Sequence, residues 1–206
     1  VIGDINMKRK FLNSSIDLIK KHKKYTKEEI EIITYGLEGL YMTITKMVVI
    51  IGIALALGIL KEVLMLLVCY NIIRSQAFGL HATKSIYCLI SSLICFIGGA
   101  LICKYLILPY WLMIVLSVSC NICLLLYAPA DTHKRPIINL KKRKRFKMLS
   151  FIFGIIYTIL IILIKDYFIV NCLLLGMIEA CIMILPITYK TFNLPYNNYK
   201  LYNSGV

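Results

Sequence analysis

The sequence predicts an all-α, polytopic integral membrane protein of about six transmembrane helices, preceded by an amphipathic helix on the membrane surface. Three observations lead there. The chain is 60% hydrophobic, against roughly 45–50% apolar residues in a soluble domain, and its mean hydropathy is +0.80. Uncharged runs such as Ser85–Cys103, Tyr105–Ala130 and Met148–Ile164 have the length of a spanning helix, about 17–25 residues. The net charge of +14 is gathered at residues 8–27 and 134–147, the pattern that marks cytoplasmic segments beside spanning helices. No water-soluble domain of useful size remains.

Residues 1–31 read as a cytoplasmic basic amphipathic segment. Phe11, Leu12, Ile16, Leu18 and Ile19 mix with lysines at roughly helical spacing, which suits a helix lying on the bilayer. Glu28, Glu29 and Glu31 follow, where acidic groups favour a helix start. The transmembrane domain covers residues 32–189. The first span, about 39–60, is associated with Glu38 and Lys46, eight residues apart and close to one face. Both can snorkel to the interface.

The second span, 63–80, is interrupted by Asn71 and Arg74, so only Val63–Ile73 is free of charge. A tilted or broken helix with its polar end facing protein or water fits. The third span, 85–103, and the fourth, 105–127, are joined by Lys104 alone, with Pro109 helping to set the boundary. A basic cytoplasmic loop, 128–147, leads to the fifth span, 148–164. Lys165-Asp166 turns the chain into the sixth, 167–189, which carries Glu179, and residues 190–206 form a cytoplasmic tail. Four spans between the two basic regions put both on the cytoplasmic side, together with the connection from His81 to Cys88 and both termini.

Beside spanning helices, the basic clusters point to anionic lipid head groups or an acidic peptide as partners and away from nucleic acid. The eight cysteines fall mostly in apolar runs, where cysteine packs as a small hydrophobe, so no disulfide framework is expected. Cys120 and Cys123 have CxxC spacing but lie mid-span with no second ligand pair, so neither a metal nor another cofactor is expected. No cleavable signal peptide is expected, because polar sequence follows the basic N-terminal residues. No internal repeat supports an inverted-repeat transporter.

Arg74–Cys88, RSQAFGLHATKSIYC, carries the chemistry. Cys88 lies about one turn into the third span. Thr83 or Ser85 can cap that helix, and a helix N-terminus, Lys84 and Arg74 all favour a nearby thiolate. His81 is the one histidine within the hydrophobic part of the chain. A thiol with an imidazole is the raw material of a cysteine nucleophile and its base.

Seven residues of continuous helix rise about 10.5 Å, whereas a base must come within about 3 Å of its proton or act through one water. The pair therefore requires a break: Gly79 permits a turn and 82–85 permit a helix restart. Arg74 could bind a substrate carboxylate or anchor at the interface. Gln76 could donate to an oxyanion. Glu179 and Asp131 could orient the imidazole or simply make structural hydrogen bonds. The plainer alternatives are a packing cysteine at Cys88 and a structural histidine at His81.

Arg74, Gly79-Leu80-His81-Ala82 and Cys88, together with Tyr127-Ala128-Pro129-Ala130-Asp131-Thr132, Pro136 and the lysine-rich segment after it, resemble the AgrB (accessory gene regulator protein B) family. Length and multi-span layout agree. The resemblance implies a membrane cysteine endopeptidase that removes the C-terminal part of a small precursor peptide, AgrD, in making the cyclic autoinducing peptide of Gram-positive quorum sensing. It makes Cys88 the nucleophile and His81 its base, near the cytoplasmic leaflet. Arg74 and Gly79 match motif positions without an assigned role. Lys141, Lys142, Arg143, Lys144 and Arg145 would hold the acidic leaving segment, or serve only topology. A homodimer is compatible with the resemblance. The competing readings are a small transporter, with Glu38, Lys46, Arg74 and Glu179 along its path, and a non-catalytic membrane scaffold.

Overall fold

A computed structural model describes residues 2–22, 25–80, 85–132 and 136–200. Most of them are helical, and the chain is an all-α polytopic membrane protein. Among the described residues five stretches are long and apolar enough to cross a membrane: Glu29–Ala56, Cys88–Tyr105, Tyr110–Tyr127, Leu140–Leu163 and Tyr167–Ile184. The chain divides into two compact units, Val1–Gly52 and Ile53–Val206.

The first unit contains α1 (Ile2–His22) and most of α2 (Lys27–Ala56). α2 begins at a capping box: the Thr26 hydroxyl accepts from the Glu29 N–H at 3.2 Å, and the Glu29 carboxylate accepts from the Thr26 N–H at 2.9 Å. This reciprocal pair satisfies two otherwise orphaned donors. The helix therefore starts well before the expected span. Lys8 pairs with Glu38 at 3.2 Å, and the Phe11 and Tyr41 rings meet at 5.4 Å, so Glu38 is engaged by α1.

The second unit opens where α2 ends. Gly58, at φ 65°, turns the chain while the Ile59 N–H returns to the Ala54 carbonyl at 2.9 Å. Then follow α3 (Leu60–Ala77), α4 (Ser85–Leu93), a π-helical stretch Ile94–Gly98, α5 (Gly99–Tyr105), α6 (Tyr110–Tyr127), α7 (Leu140–Leu163), α8 (Tyr167–Ile184) and the short α9 (Pro186–Thr191). α3 has the length of a short span but carries Lys61, Glu62 and Arg74. α8 is the most enclosed of the candidate spans.

Three further boundaries differ from the sequence reading. Lys104 lies inside α5, where it pairs with Glu62 at 3.1 Å, and the connection to α6 is the extended segment 106–109. Pro109 disfavours helix at the residue before it, and the Asn171 side chain donates to the Leu106 carbonyl at 2.7 Å. The run Lys141–Lys147 is helical, because Asn139 caps α7 by accepting from the Lys141 and Lys142 N–H groups at 3.0 and 3.2 Å. Lysine and arginine are themselves good helix formers. α8 stops at Ile184 instead of reaching residue 189, since Pro186 forces Leu185 to extended backbone, φ −65°, ψ 138°.

Packing between these helices follows the rules of a solvent without hydrogen bonds: close approach at small residues, and polar groups bonded across helices. Asn121 of α6 donates to the Thr158 hydroxyl of α7 at 2.7 Å. The Tyr157 hydroxyl of α7 donates to the Cys69 carbonyl of α3 at 3.0 Å. The Cys181 thiol donates to the Cys120 carbonyl at 3.5 Å. α8 touches α3 at Gly176, where an added Cβ would lie 2.9 Å from the Tyr70 backbone nitrogen and 3.0 Å from the Cys69 carbonyl carbon.

Those neighbours are backbone atoms that cannot yield. Gly176→Val should therefore lower the thermal unfolding midpoint of the detergent-solubilised protein, by the equivalent of about 1–3 kcal/mol for overpacking. Gly52→Ala, with nothing within 4 Å of the added carbon and alanine the better helix former, should not lower the midpoint.

Candidate functional site

The exit of α3 is held by backbone from two distant parts of the chain. Phe78 caps the helix at φ 56°, its N–H bonded to the Arg74 carbonyl at 3.0 Å. The next residues run beside the loop after α6. The Gly79 N–H donates to the Ala130 carbonyl at 2.7 Å, and the Ala130 N–H donates to the Ala77 carbonyl at 3.0 Å. Phe78 and Ala130 thus form a parallel bridge, and the peptide bond before Pro129 is cis. The Leu80 N–H donates to Met183, near the end of α8, at 3.0 Å.

Arg74 completes this arrangement. One guanidinium nitrogen donates to the Phe78 carbonyl and the other to the Leu80 carbonyl. The side chain expected to meet a substrate or the interface is bonded to its own chain on either side of Gly79. Gly79 sits at φ +110°, with its missing Cβ directed at the Arg74 guanidinium and 2.5 Å from the Met183 carbonyl oxygen. Both the backbone angle and the close approach require glycine there. The Phe78 ring packs edge-on against Phe146 of α7 at 4.9 Å.

The described part of this segment ends at Leu80. His81 and the candidate cap Thr83 lie outside the described residues, and so does the Ser85 side chain. Cys88 is the fourth residue of α4, half-buried, and its carbonyl accepts from the Ser91 hydroxyl at 3.1 Å. All eight cysteines are thiols. Gln76 donates to the Ser75 hydroxyl at 3.1 Å on the exposed side of α3.

Tyr70 is a neighbour that the sequence reading missed. Its phenol lies within electrostatic reach of Arg74, Glu179, Cys95 and Cys88, and its ring meets Phe96 edge-on at 5.3 Å. The available signal was its position four residues before Arg74, which puts the two on one helix face. Glu179 is buried on α8, with one carboxyl oxygen facing Gly99, whose added Cβ would lie 3.1 Å away. Its other oxygen has no hydrogen-bond partner among the described residues.

Asp131, only 2% exposed, organises the second motif. Its carboxylate accepts from the Tyr199 N–H at 2.8 Å and the Ile137 N–H at 3.4 Å, and lies 3.8 Å from the Arg143 guanidinium. Its backbone carbonyl accepts from the Tyr189 hydroxyl at 3.1 Å and the Asn198 amide at 3.4 Å. Arg143 also lies over the Tyr199 ring, 3.8 Å from its centroid.

The basic run is thereby divided. Arg143 turns inward, while Lys141, Lys142, Lys144 and Arg145 are exposed. Beside Arg143 opens a cavity of about 480 Å³, bounded by Pro129, Lys144, Lys147, Tyr196 and Tyr199 among others. Burial pushes the Tyr196 phenol above its ordinary pKa, with Arg143 opposing, so that wall stays neutral at physiological pH.

The model of the family described as accessory gene regulator B matches residues 12–184. An AgrB-like protein of Clostridium acetobutylicum is 33% identical over 181 residues, covering 88% of this chain and 87% of the relative. One from Listeria innocua is 31% identical over 170 residues, covering 82% and 83% respectively. Accessory gene regulator protein B of Staphylococcus aureus is 33% identical over 155 residues, covering 75% and 80%. No solved structure matches.

The geometry at Gly79 gives a direct test. Gly79→Ala should destabilise the full-length protein by about 1–3 kcal/mol, the usual cost of backbone strain in a sparsely populated region. A thermal unfolding midpoint equal to that of the parent would contradict this role for Gly79.

Proposed function

Because the chain belongs to the accessory gene regulator B family, and with it to the agr system, we propose that it is the membrane cysteine endopeptidase of that system. Its substrate is an AgrD-like precursor peptide, from which it removes the C-terminal segment. Cys88 is the nucleophile and His81 the general base, at the cytoplasmic leaflet, with both termini of the protein on that side.

The observation that carries this reading is the fixed exit of α3. Arg74, Ala130 and Met183 pin the backbone up to Leu80, the residue before His81, and Cys88 lies at the start of the next helix. A base and a nucleophile need positions set to a fraction of an ångström, and a pinned backbone on one side of the pair supports that. In this reading Arg74 and Gly79 are positioning residues.

The reaction has two halves. His81 accepts the thiol proton, and the Cys88 sulfur attacks a peptide carbonyl of the precursor. The carbon–nitrogen bond breaks as His81 returns the proton to the departing amine, leaving a thioester on Cys88. A thiol or hydroxyl of the same peptide then attacks the thioester. Its proton passes through His81 to the Cys88 sulfur, and a thiolactone or lactone is released. A site at the bilayer edge favours this outcome over hydrolysis by limiting water. The exposed Lys141, Lys142, Lys144 and Arg145 attract the acidic leaving segment and the head groups of anionic lipids, while Arg143, of the same basic run, is held inward by Asp131.

Co-expression with an AgrD-like precursor tests the proposal. Cys88→Ala should abolish release of the C-terminal fragment while the protein still reaches the membrane, and His81→Ala should slow release about 10²–10⁴-fold. A peptide mass held on Cys88 should be recovered from the parent. Undiminished cleavage by Cys88→Ala would reject the enzyme reading; a transporter or scaffold would tolerate that substitution.

Thiol chemistry supplies a second check. In membrane vesicles Cys88 should alkylate faster at neutral pH than Cys95 or the fully buried Cys172. Equal, slow labelling of all three would count against an activated sulfur.

A further inference from the structure

The residues after α8 lie beyond the matched family segment, which ends at residue 184, yet they are built into the second motif. The Tyr199 N–H and the Asn198 amide both end on Asp131, at 2.8 and 3.4 Å. Tyr196 packs edge-on against the buried Tyr189 at 5.0 Å. Asn198 itself is 1% exposed. The segment 193–200 is thus a strap that closes one side of the cavity beside α7.

The cavity is also lined by basic residues of α7. These are Arg143, Lys144 and Lys147, and among the described residues neither lysine is paired with a carboxylate. Tyr196, Tyr199 and Leu140 give the same space aromatic and apolar surface. Its volume of about 480 Å³ falls in the range of ligand pockets, roughly 300–1,000 Å³. Two unpaired lysines and the Asp131-held Arg143, in a cavity lined also by Tyr127, Tyr196 and Tyr199, suit carboxylates carried on an amphipathic peptide. A lipid phosphate would use the cations and leave the rings unused.

We infer that this cavity seats an acidic, amphipathic peptide segment, and that Tyr196 and Tyr199 of the strap are its specificity-determining wall. The inference rests on the reading that the chain handles a precursor peptide. Arg143 takes part while it is held between Asp131 and the Tyr199 ring, so the strap also sets the direction of the central cation. A change in the strap alters which peptide is held.

Binding is measured on the full chain carrying Cys88→Ala, in nanodiscs of zwitterionic lipid, which separates it from any question of cleavage. The probe is a fluorescent amphipathic peptide whose polar face is entirely glutamate, compared with its glutamine counterpart. The glutamate peptide should bind and the glutamine peptide should not. Replacing both Tyr196 and Tyr199 by alanine should weaken binding about tenfold, in keeping with the loss of aromatic anchors and of the contact to Arg143. Tyr196→Phe should bind like the parent. If the double variant does not fold, Tyr196→Gln, at a half-exposed position, should show the same direction of loss. Unchanged affinity in the tyrosine variants, equal binding of the two peptides, or full displacement of the glutamate peptide by phosphatidylglycerol vesicles would each overturn the inference. Failure of Cys88→Ala to stop cleavage would reject the enzyme reading and leave this binding result standing.

Discussion

A buried stretch of chain that leaves a helix must find partners for its peptide groups, because it has given up those that water offered. The exit of α3 depends on one solution to that constraint. The Arg74 guanidinium takes the Phe78 and Leu80 carbonyls, while Ala130 and Met183 supply carbonyls for the Gly79 and Leu80 N–H groups. A guanidinium that would be costly to bury unpaired thereby meets acceptors that would be costly if left alone. Two problems of desolvation cancel, and the result is irregular backbone with a defined path.

That junction draws the rest of the second unit together. It joins the first motif to the second through Ala130, and both to α8 through Met183. Asp131 follows Ala130 and gathers α7 through Arg143 and the strap through Tyr199. Residues far apart in the sequence become dependent on one another through hydrogen bonds between neighbours. The basic turns of α7 and the aromatic strap share a cavity for the same reason.

The class of the fold was legible from hydropathy and charge, because a bilayer imposes length and polarity on each span. The two motifs were legible as residue types. Their pairing was not: a bridge between Phe78 and Ala130 leaves no local periodicity to read. Arg74 looked like a group aimed at something else, since nothing in the sequence says that two carbonyls would lie within its reach. The helical state of Lys141–Lys147 was masked by the expectation that a charge cluster is a loop, although Asn139 stood ready as its cap. Tyr70 escaped notice because a tyrosine in an apolar run reads as packing. Cys88 and His81 were named from chemistry and spacing, and the described residues bring the backbone to within one residue of the histidine.

The grip of Arg74 on both sides of Gly79 also fixes a distance along the polymer. One side chain of set reach must touch the fourth and the sixth residue after it, while the Gly79 and Leu80 N–H groups meet Ala130 in the loop after α6 and Met183 on α8. Adding or removing a single residue between positions 74 and 80 would shift every donor out of step with its acceptor at once. Whatever replacements individual sites tolerate, this interval behaves as a ruler whose graduations cannot be respaced.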